Sequence, residues 1–368
     1  MGRGALPVRE AVTDARLAAG LCVVAMLLAA LTACASGARH VGPVSDHFDA
    51  ERFHNEAPFD LGWRDLWRYY REREPGVWTR DLTPPNHPDP VARVGAGELQ
   101  VTVINHATVL IQIDGLNLLT DPIWSARASP FQRFGPQRYV APGLAFAQLP
   151  PIDAVLISHD HFDHLDLPTL RRLEAEHQPR FIVGLGEDAW LRDEGLRDVV
   201  ALDWGQAHAL NERVSVHGQR AQHWTGRGFG AWQRNRSLWM AYVITAPGGP
   251  VYFAGDTGYG PHFAASGAAF GPFRLALLPI GAYKPRWLTA YQHTSPDEAV
   301  QAHRDLGAAR SIAVHFGTFA LAEEGQHEPV HDLSVARSAA GLPDDVFIAP
   351  TFGQRYAIAA RRSAPELE

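Results

Sequence analysis

Cysteine is almost missing from this chain. Among 368 residues only Cys22 and Cys34 occur, so everything beyond residue 34 must fold without a disulfide. A domain outside the cytoplasm would then rest on its hydrophobic core and any bound metal. Lysine is scarcer still: Lys284 is the only one among 33 lysines and arginines, a bias we read as coding-sequence composition and not as function. Basic excess is absent too. The formal net charge of -7 argues against a general nucleic-acid binder. No repeat of solenoid length is visible. The apolar fraction of 46% and charged fraction of 20% are ordinary for a globular protein, here of one large domain or two.

The apolar stretch Leu17–Leu31 is short for a spanning helix and is broken by Thr32. Arg3, Arg9 and Arg16 precede it, so it reads as the core of a signal peptide. It ends in Leu31-Thr32-Ala33-Cys34, which resembles the lipobox of bacterial lipoproteins. That resemblance implies removal of residues 1–33 and lipidation of Cys34. The protein is then expected in the bacterial cell envelope, held at a membrane surface by its lipid anchor. An ordinary signal peptide, a retained anchor and a cytoplasmic location are the alternatives. Loss of residues 1–33 removes three arginines and two acids and leaves a charge of about -8.

What the chain does have is histidine in one place. His159-Asp160-His161-Phe162-Asp163-His164 follows the apolar run Ala154–Ile157. Imidazole nitrogen suits zinc and similar metals, and carboxylate adds an oxygen donor. His159 and His161, two apart, can grip one ion. Asp163 and His164 follow in a turn and can reach a second. A two-metal site makes bound water nucleophilic at neutral pH and clamps both oxygens of a displacement. The alternative, a histidine-rich surface loop, is weakened by partners downstream. His223, Asp256 and His315 each end an apolar segment and precede small or turn-forming residues, where strands deliver side chains to one sheet edge.

Elsewhere the pattern is strand-dense. Leu99–Ile104, Val109–Ile113 and Leu116–Thr120 read as strands, with Asp114-Gly115 as a hairpin turn. Ala154–Ile157, Phe181–Val183, Val214–Gln219, Leu238–Thr245, Val251–Ala254, Leu275–Pro279 and Ile312–Val314 follow. A helix is expected near Leu167–His177. Another starts at Ser295 as N-cap, with Pro296 first and Asp297 and Glu298 in its first turn, and Gly307 ends it. Periodicity alone gives a mixed α/β protein. Residues 34–97 form an N-terminal arm, rich in proline, glycine and charge, and make poor core material. Within it Leu61–Arg71 could be one amphipathic helix. Its aromatic residues beside arginines suit either a lipid interface or packing on the catalytic domain.

The pattern HxHxDH followed by H, D and H at strand ends resembles the metallo-β-lactamase superfamily. Further segments are similar to the N-acylphosphatidylethanolamine-hydrolysing phospholipase D family. They include Asn105-His106-Ala107-Thr108, Leu119-Thr120-Asp121-Pro122, His223-Trp224-Thr225-Gly226-Arg227-Gly228, Gly255–Tyr259 and His315-Phe316-Gly317-Thr318. The similarity runs from about Asp46 to Gln354. The chain departs from that family at Thr225, where serine is usual, and at Phe316, where tryptophan is usual. Both neighbour ligand candidates and bear on substrate shape.

The resemblance implies a four-layered αβ/βα sandwich over residues 98–360 and two Zn2+ per chain. His159, His161 and His223 would hold the first ion, Asp163, His164 and His315 the second, and Asp256 would bridge them. A bridging hydroxide would act as nucleophile. Asp121 is a candidate for orienting a ligand imidazole, or for stabilising its own turn. His106 would line the pocket or be a buried structural histidine. Gln292 and His293 are candidates for substrate contact or leaving-group assistance. Arg227 would hold a phosphate or form a salt bridge. The implied activity is phosphodiester hydrolysis of N-acylphosphatidylethanolamine-type phospholipid to phosphatidic acid and N-acylethanolamine. A lactonase or soluble phosphodiesterase on the same scaffold, acting on a small-molecule ester, is the alternative. Oligomeric state is left open.

Overall fold

A computed structural model describes residues 37–58, 62–131, 133–227 and 233–361. The signal-peptide and Cys34 expectations lie outside the described residues. Among its described residues the arm carries one helix, α1 (Trp63–Glu72), started by Gly62, whose N–H donates to Asp65 Oδ2 at 3.0 Å. Strands β1 (Leu99–Asn105), β2 (Thr108–Ile113) and β3 (Leu116–Thr120) then run antiparallel. Asp114 (φ 48°) and Gly115 (φ 82°) both take left-handed backbone, the combination a two-residue hairpin turn requires. Period-two alternation gives each strand two apolar faces. Val109 and Ile111 face one core, while Leu110 joins Leu119 and Val155 in another.

The sheet grows by alternation of strand and helix. β4 (Ala154–Leu156), β5 (Arg180–Gly184) and β6 (Val199–Leu202) add in parallel beside β3. The crossovers hold α2 (Leu167–Glu176) and α3 (Asp188–Asp193), whose Leu170, Leu173 and Leu191 cover the outer face through Val155, Phe181 and Val183. A second sheet follows: β7 (Ala207–Ala209), β8 (Ser215–Gln219), β9 (Ala241–Thr245), β10 (Val251–Phe253), β11 (Leu275–Pro279), β12 (Ser311–Val314) and β13 (Phe347–Ile348). Helices α4 (His262–Phe270), α5 (Arg286–Thr289), α6 (Pro296–Asp305) and α7 (Glu328–Ala339) are interleaved with it. Finally β14 (Arg355–Ala357) returns to the first sheet and pairs antiparallel with β1.

The strand orders are β14-β1-β2-β3-β4-β5-β6 and β13-β12-β11-β10-β9-β8-β7. One large apolar cluster fills the space between the sheets and extends to Phe263, Val300 and Leu333 of α4, α6 and α7 on the far side. The layers are helix, sheet, sheet, helix, which is the expected αβ/βα sandwich.

Three differences from the sequence reading have physical causes. Leu238–Met240 do not extend β9, because Leu238 N–H donates to Leu185 O and Met240 N–H to Ser158 O, both on the other half. The arm is not wholly outside the core: Phe48 and Phe53 are buried in the main cluster. Isolated aromatics carry no period and so gave no signal. Helices α4 and α7 were not expected because neither carries a clear apolar stripe; helices α3 and α5 and strands β6, β7, β13 and β14 were not expected either.

Candidate metal centre

The sheet edges bring the chemistry together. The loop after β4 carries His159, His161, Asp163 and His164; His223 follows β8, Asp256 follows β10, and His315 follows β12. Gly255 makes the Asp256 turn with φ 58°, and a Cβ there would lie 2.5 Å from Ser158 Cβ, so only glycine fits. His315 itself sits at φ 58°, an uncommon left-handed conformation held by the surrounding structure.

The donor atoms form two groups that share Asp256. His159 Nε2 lies 2.8 Å from His161 Nδ1, and His223 Nε2 lies 3.3 Å from the same atom. Those spacings approach the ~3.3 Å edge of a tetrahedron with metal–nitrogen bonds of ~2.0–2.1 Å. In the second group, Asp163 Oδ2 lies 3.2 Å from His164 Nε2 and 3.4 Å from His315 Nε2. Asp256 Oδ2 is 3.2 Å from His164 Nε2, 3.1 Å from His315 Nε2 and 3.9 Å from His223 Nε2. Buried atoms His164 Nε2 and Asp256 Oδ1 have no hydrogen-bond partner among the described residues. Buried polar atoms are normally satisfied, so these fit a centre built to receive cations.

Electrostatics agrees with that fit. Burial holds His161 and His223 down to about 3, against the pull of Asp163 and Asp256, so both are neutral donors at pH 7. Burial also opposes charge on His164 and His315, yet the carboxylates outweigh it. Asp256 and Asp163 lift His164 well above the ordinary histidine value and raise His315 to about 9. Without an ion, protons stand where the two carboxylates require positive charge.

Around the donors lies a set of orienting groups. Asp121, fully buried at the end of β3, places Oδ2 2.7 Å from His164 Nδ1 and accepts from Ser158 Oγ at 2.6 Å. Ser158 Oγ is also 2.9 Å from His159 Nδ1. One carboxylate thus fixes two imidazoles so that both Nε2 atoms face the centre. His223 Nδ1–H donates to the Gln292 carbonyl at 2.9 Å, with the same effect. His106 is buried and its Nε2–H donates to Asp163 Oδ2 at 2.9 Å; it orients a ligand and is not among the residues lining the main cleft.

A cleft of about 380 Å3 reaches the cluster, lined by Tyr69, Tyr70, Trp224, Leu288, Gln292 and His293 among others. His293 Nδ1 stands 3.7 Å from Asp256 Oδ2, and burial holds this imidazole down to about 3. Arg227 is placed differently from the phosphate reading. Its Nη1 donates to the carbonyls of Asp160 (2.6 Å) and Leu165 (2.8 Å), and its guanidinium stacks 4.1 Å from the Phe162 ring, so it bolts the metal loop. Sequence reasoning missed Ser158, Tyr69 and Tyr70. Ser158 had a signal, its place at the strand end directly before His159. The tyrosines had none, since only the fold brings α1 to the cleft.

Residues 116–316 match the family model described as the beta-lactamase superfamily domain, more than half of the chain. The chain belongs to the metallo-β-lactamase superfamily. An uncharacterized protein of Mycobacterium tuberculosis is 39% identical to it over 365 residues, covering 94% of each chain. An N-acyl-phosphatidylethanolamine-hydrolyzing phospholipase D of Caenorhabditis elegans is 36% identical over 233 residues, 61% of this chain and 65% of the worm protein. The fold is like that of Igni18, a metallo hydrolase of the archaeon Ignicoccus hospitalis. The TM-score is 0.54 at 18% identity, covering 72% of this chain and 100% of that one. With this membership and the histidine–aspartate cluster, the chain is a metal-dependent hydrolase.

Proposed function

We propose that this protein is a zinc-dependent phosphodiesterase of phospholipids, acting on the N-acylphosphatidylethanolamine type to give phosphatidic acid and N-acylethanolamine. The observation that carries the reading is the cleft: a metal-type cluster at its base, and walls of tyrosine, tryptophan and leucine suited to a lipid's glycerol and acyl roots. The similarity to the worm phospholipase supports it.

In this reading His159, His161 and His223 would hold one zinc and Asp163, His164 and His315 a second, with Asp256 within reach of either group. When bound, such ions polarise phosphoryl oxygens and lower the pKa of water. The rest belongs to the chain. Neutral imidazoles leave the centre electrophilic, while two carboxylates offset part of its charge. Asp121 and Ser158 hold two donor rings in one tautomer. His293, neutral at pH 7, can offer an N–H to a leaving-group oxygen but cannot act as a charged acid. Trp224, Tyr69 and Tyr70 give the cleft aromatic walls.

Metal-loaded protein given N-acylphosphatidylethanolamine, plain phosphatidylethanolamine, a lactone and a nitrophenyl phosphodiester tests this. Release of N-acylethanolamine from the first is expected. Hydrolysis of the lactone alone would sink the phospholipase reading. For location we propose that Cys34 is lipidated and holds the enzyme in the bacterial envelope, which suits a lipid substrate; the motive is the sequence Leu31-Thr32-Ala33-Cys34.

A further inference from the structure

Helix α1 leaves most of its described side chains exposed. Of its described side chains only Asp65 and Tyr69 are partly covered, while Trp63, Trp67 and Tyr70 are 73%, 62% and 67% exposed. These three recur at i, i+4 and i+7, which is one stripe of a helix. Core formation does not account for two tryptophans and a tyrosine in a row facing water. Arg64, Arg68 and Arg71 repeat the spacing one residue on, so a row of guanidinium groups flanks the aromatic stripe. Arg68 lies 4.2 Å over the ring of Trp287 in α5, and Tyr69 and Tyr70 line the cleft. The stripe therefore borders the mouth that leads to the metal cluster.

We propose that α1 docks the protein onto an anionic phospholipid bilayer, with Trp63 and Trp67 seated among the head groups and the cleft mouth held at the lipid surface. Indole and phenol rings settle at the membrane–water boundary because one part is apolar and another forms hydrogen bonds. Arg68 is paired with Glu72 at 2.8 Å, which leaves Arg64 and Arg71 of the row to complement lipid phosphates. A second copy of the chain would cover the same stripe less well, since a two-fold contact sets the arginine rows beside each other. The proposal rests on the reading of the site as lipid-directed, but its test does not require turnover.

The test uses the full chain and vesicles of phosphatidylcholine with phosphatidylglycerol, with and without bromine on the acyl chains. No tryptophan precedes Trp63, so insertion of the N-terminal segment contributes no signal of its own. Brominated vesicles should quench tryptophan fluorescence. In Trp63→Ser/Trp67→Ser, quenching should fall and vesicle affinity should drop by about tenfold or more, given the aromatic area withdrawn from the interface. Hydrolysis of a water-soluble nitrophenyl phosphodiester and the melting temperature should stay as in the parent, because both side chains are exposed. Equal quenching in parent and variant overturns the proposal. So does a dimer without vesicles that the double variant converts to monomer, which assigns the stripe to a second copy. Quenching by a protein that hydrolyses no lipid would uphold the docking while removing the substrate reading.

Discussion

Replacing Asp121 with asparagine changes one atom and leaves the volume of the side chain intact. In the native protein Asp121 Oδ2 faces two donors, His164 Nδ1–H at 2.7 Å and Ser158 Oγ–H at 2.6 Å, while Oδ1 accepts from Ser158 N–H at 2.7 Å. Asparagine can keep the last bond, but its amide nitrogen then points donor against donor at His164. The ring escapes by moving its proton to Nε2, which removes the lone pair that faces the centre. A charge-assisted bond of this kind contributes about 1.5–3 kcal/mol, and loss of such an orienting partner costs about 10- to 100-fold in metal affinity. The two figures agree, since about 1.4 kcal/mol is tenfold. The variant also removes a charge that burial disfavours, as the upward push of burial on the Asp121 carboxyl shows. In the metal-free form Asp121 also helps hold the proton on His164, so stability there should fall by no more than the ~1.5–3 kcal/mol of that bond. Competition against a chromophoric chelator gives the affinity, and urea unfolding of metal-stripped protein gives the stability. Metal affinity within twofold of the parent would refute the orienting role; a collapse of metal-free stability would make Asp121 a folding residue instead.

Asp256→Ala should remove one ion and lower turnover by orders of magnitude, whereas His223→Ala should retain the second ion; elemental analysis beside rate measurement checks both. The parent protein should carry close to two transition-metal ions, most of them zinc, and a chelator should abolish activity that zinc restores. The metal-free protein should be most stable near pH 6.5, as chemical-denaturation midpoints across pH would show. Below that pH the unfolded chain takes up protons that His106, His161, His223 and His293, held to about 3, refuse; above it the folded state loses the protons that stabilise it at His164 and, near 9, at His315. Cys34→Ser should release the protein from the lipid-modified pool, read by mass spectrometry of the native N-terminus.

Legibility followed local chemistry. The hairpin at Asp114-Gly115, the proline-started helix after Ser295 and the apolar runs before His159, Asp256 and His315 each state their structure within a few residues. The seven donor residues could be named because metal binding restricts residue type and strand ends restrict position. Arg227 illustrates the opposite case. An arginine beside a metal loop suits a phosphate equally well, and only three-dimensional placement shows its guanidinium spent on the carbonyls of Asp160 and Leu165. Tyr69 and Tyr70 were invisible as cleft residues for a related reason. Their role depends on where α1 comes to rest, which no periodicity encodes.

The return of β14 to β1 sets the order in which this chain can be completed. The edge of β1 waits for a partner about 250 residues further on, so a polypeptide emerging from a ribosome or a translocation pore presents that edge open for most of its length. The donor residues arrive in the same staggered fashion, four from the loop after β4 and three much later, so an ion met early finds half a coordination shell. The register places Ala357 opposite Gln100, with the Ile358 N–H bonded to the Leu99 carbonyl at 2.9 Å. A circular permutant that begins just before β14 and reaches β1 through the arm would keep every pairing, including the burial of Phe48 and Phe53, and let the first sheet close its edge before the second is made. Its refolding should be faster and its losses to aggregation smaller, with the finished architecture unchanged.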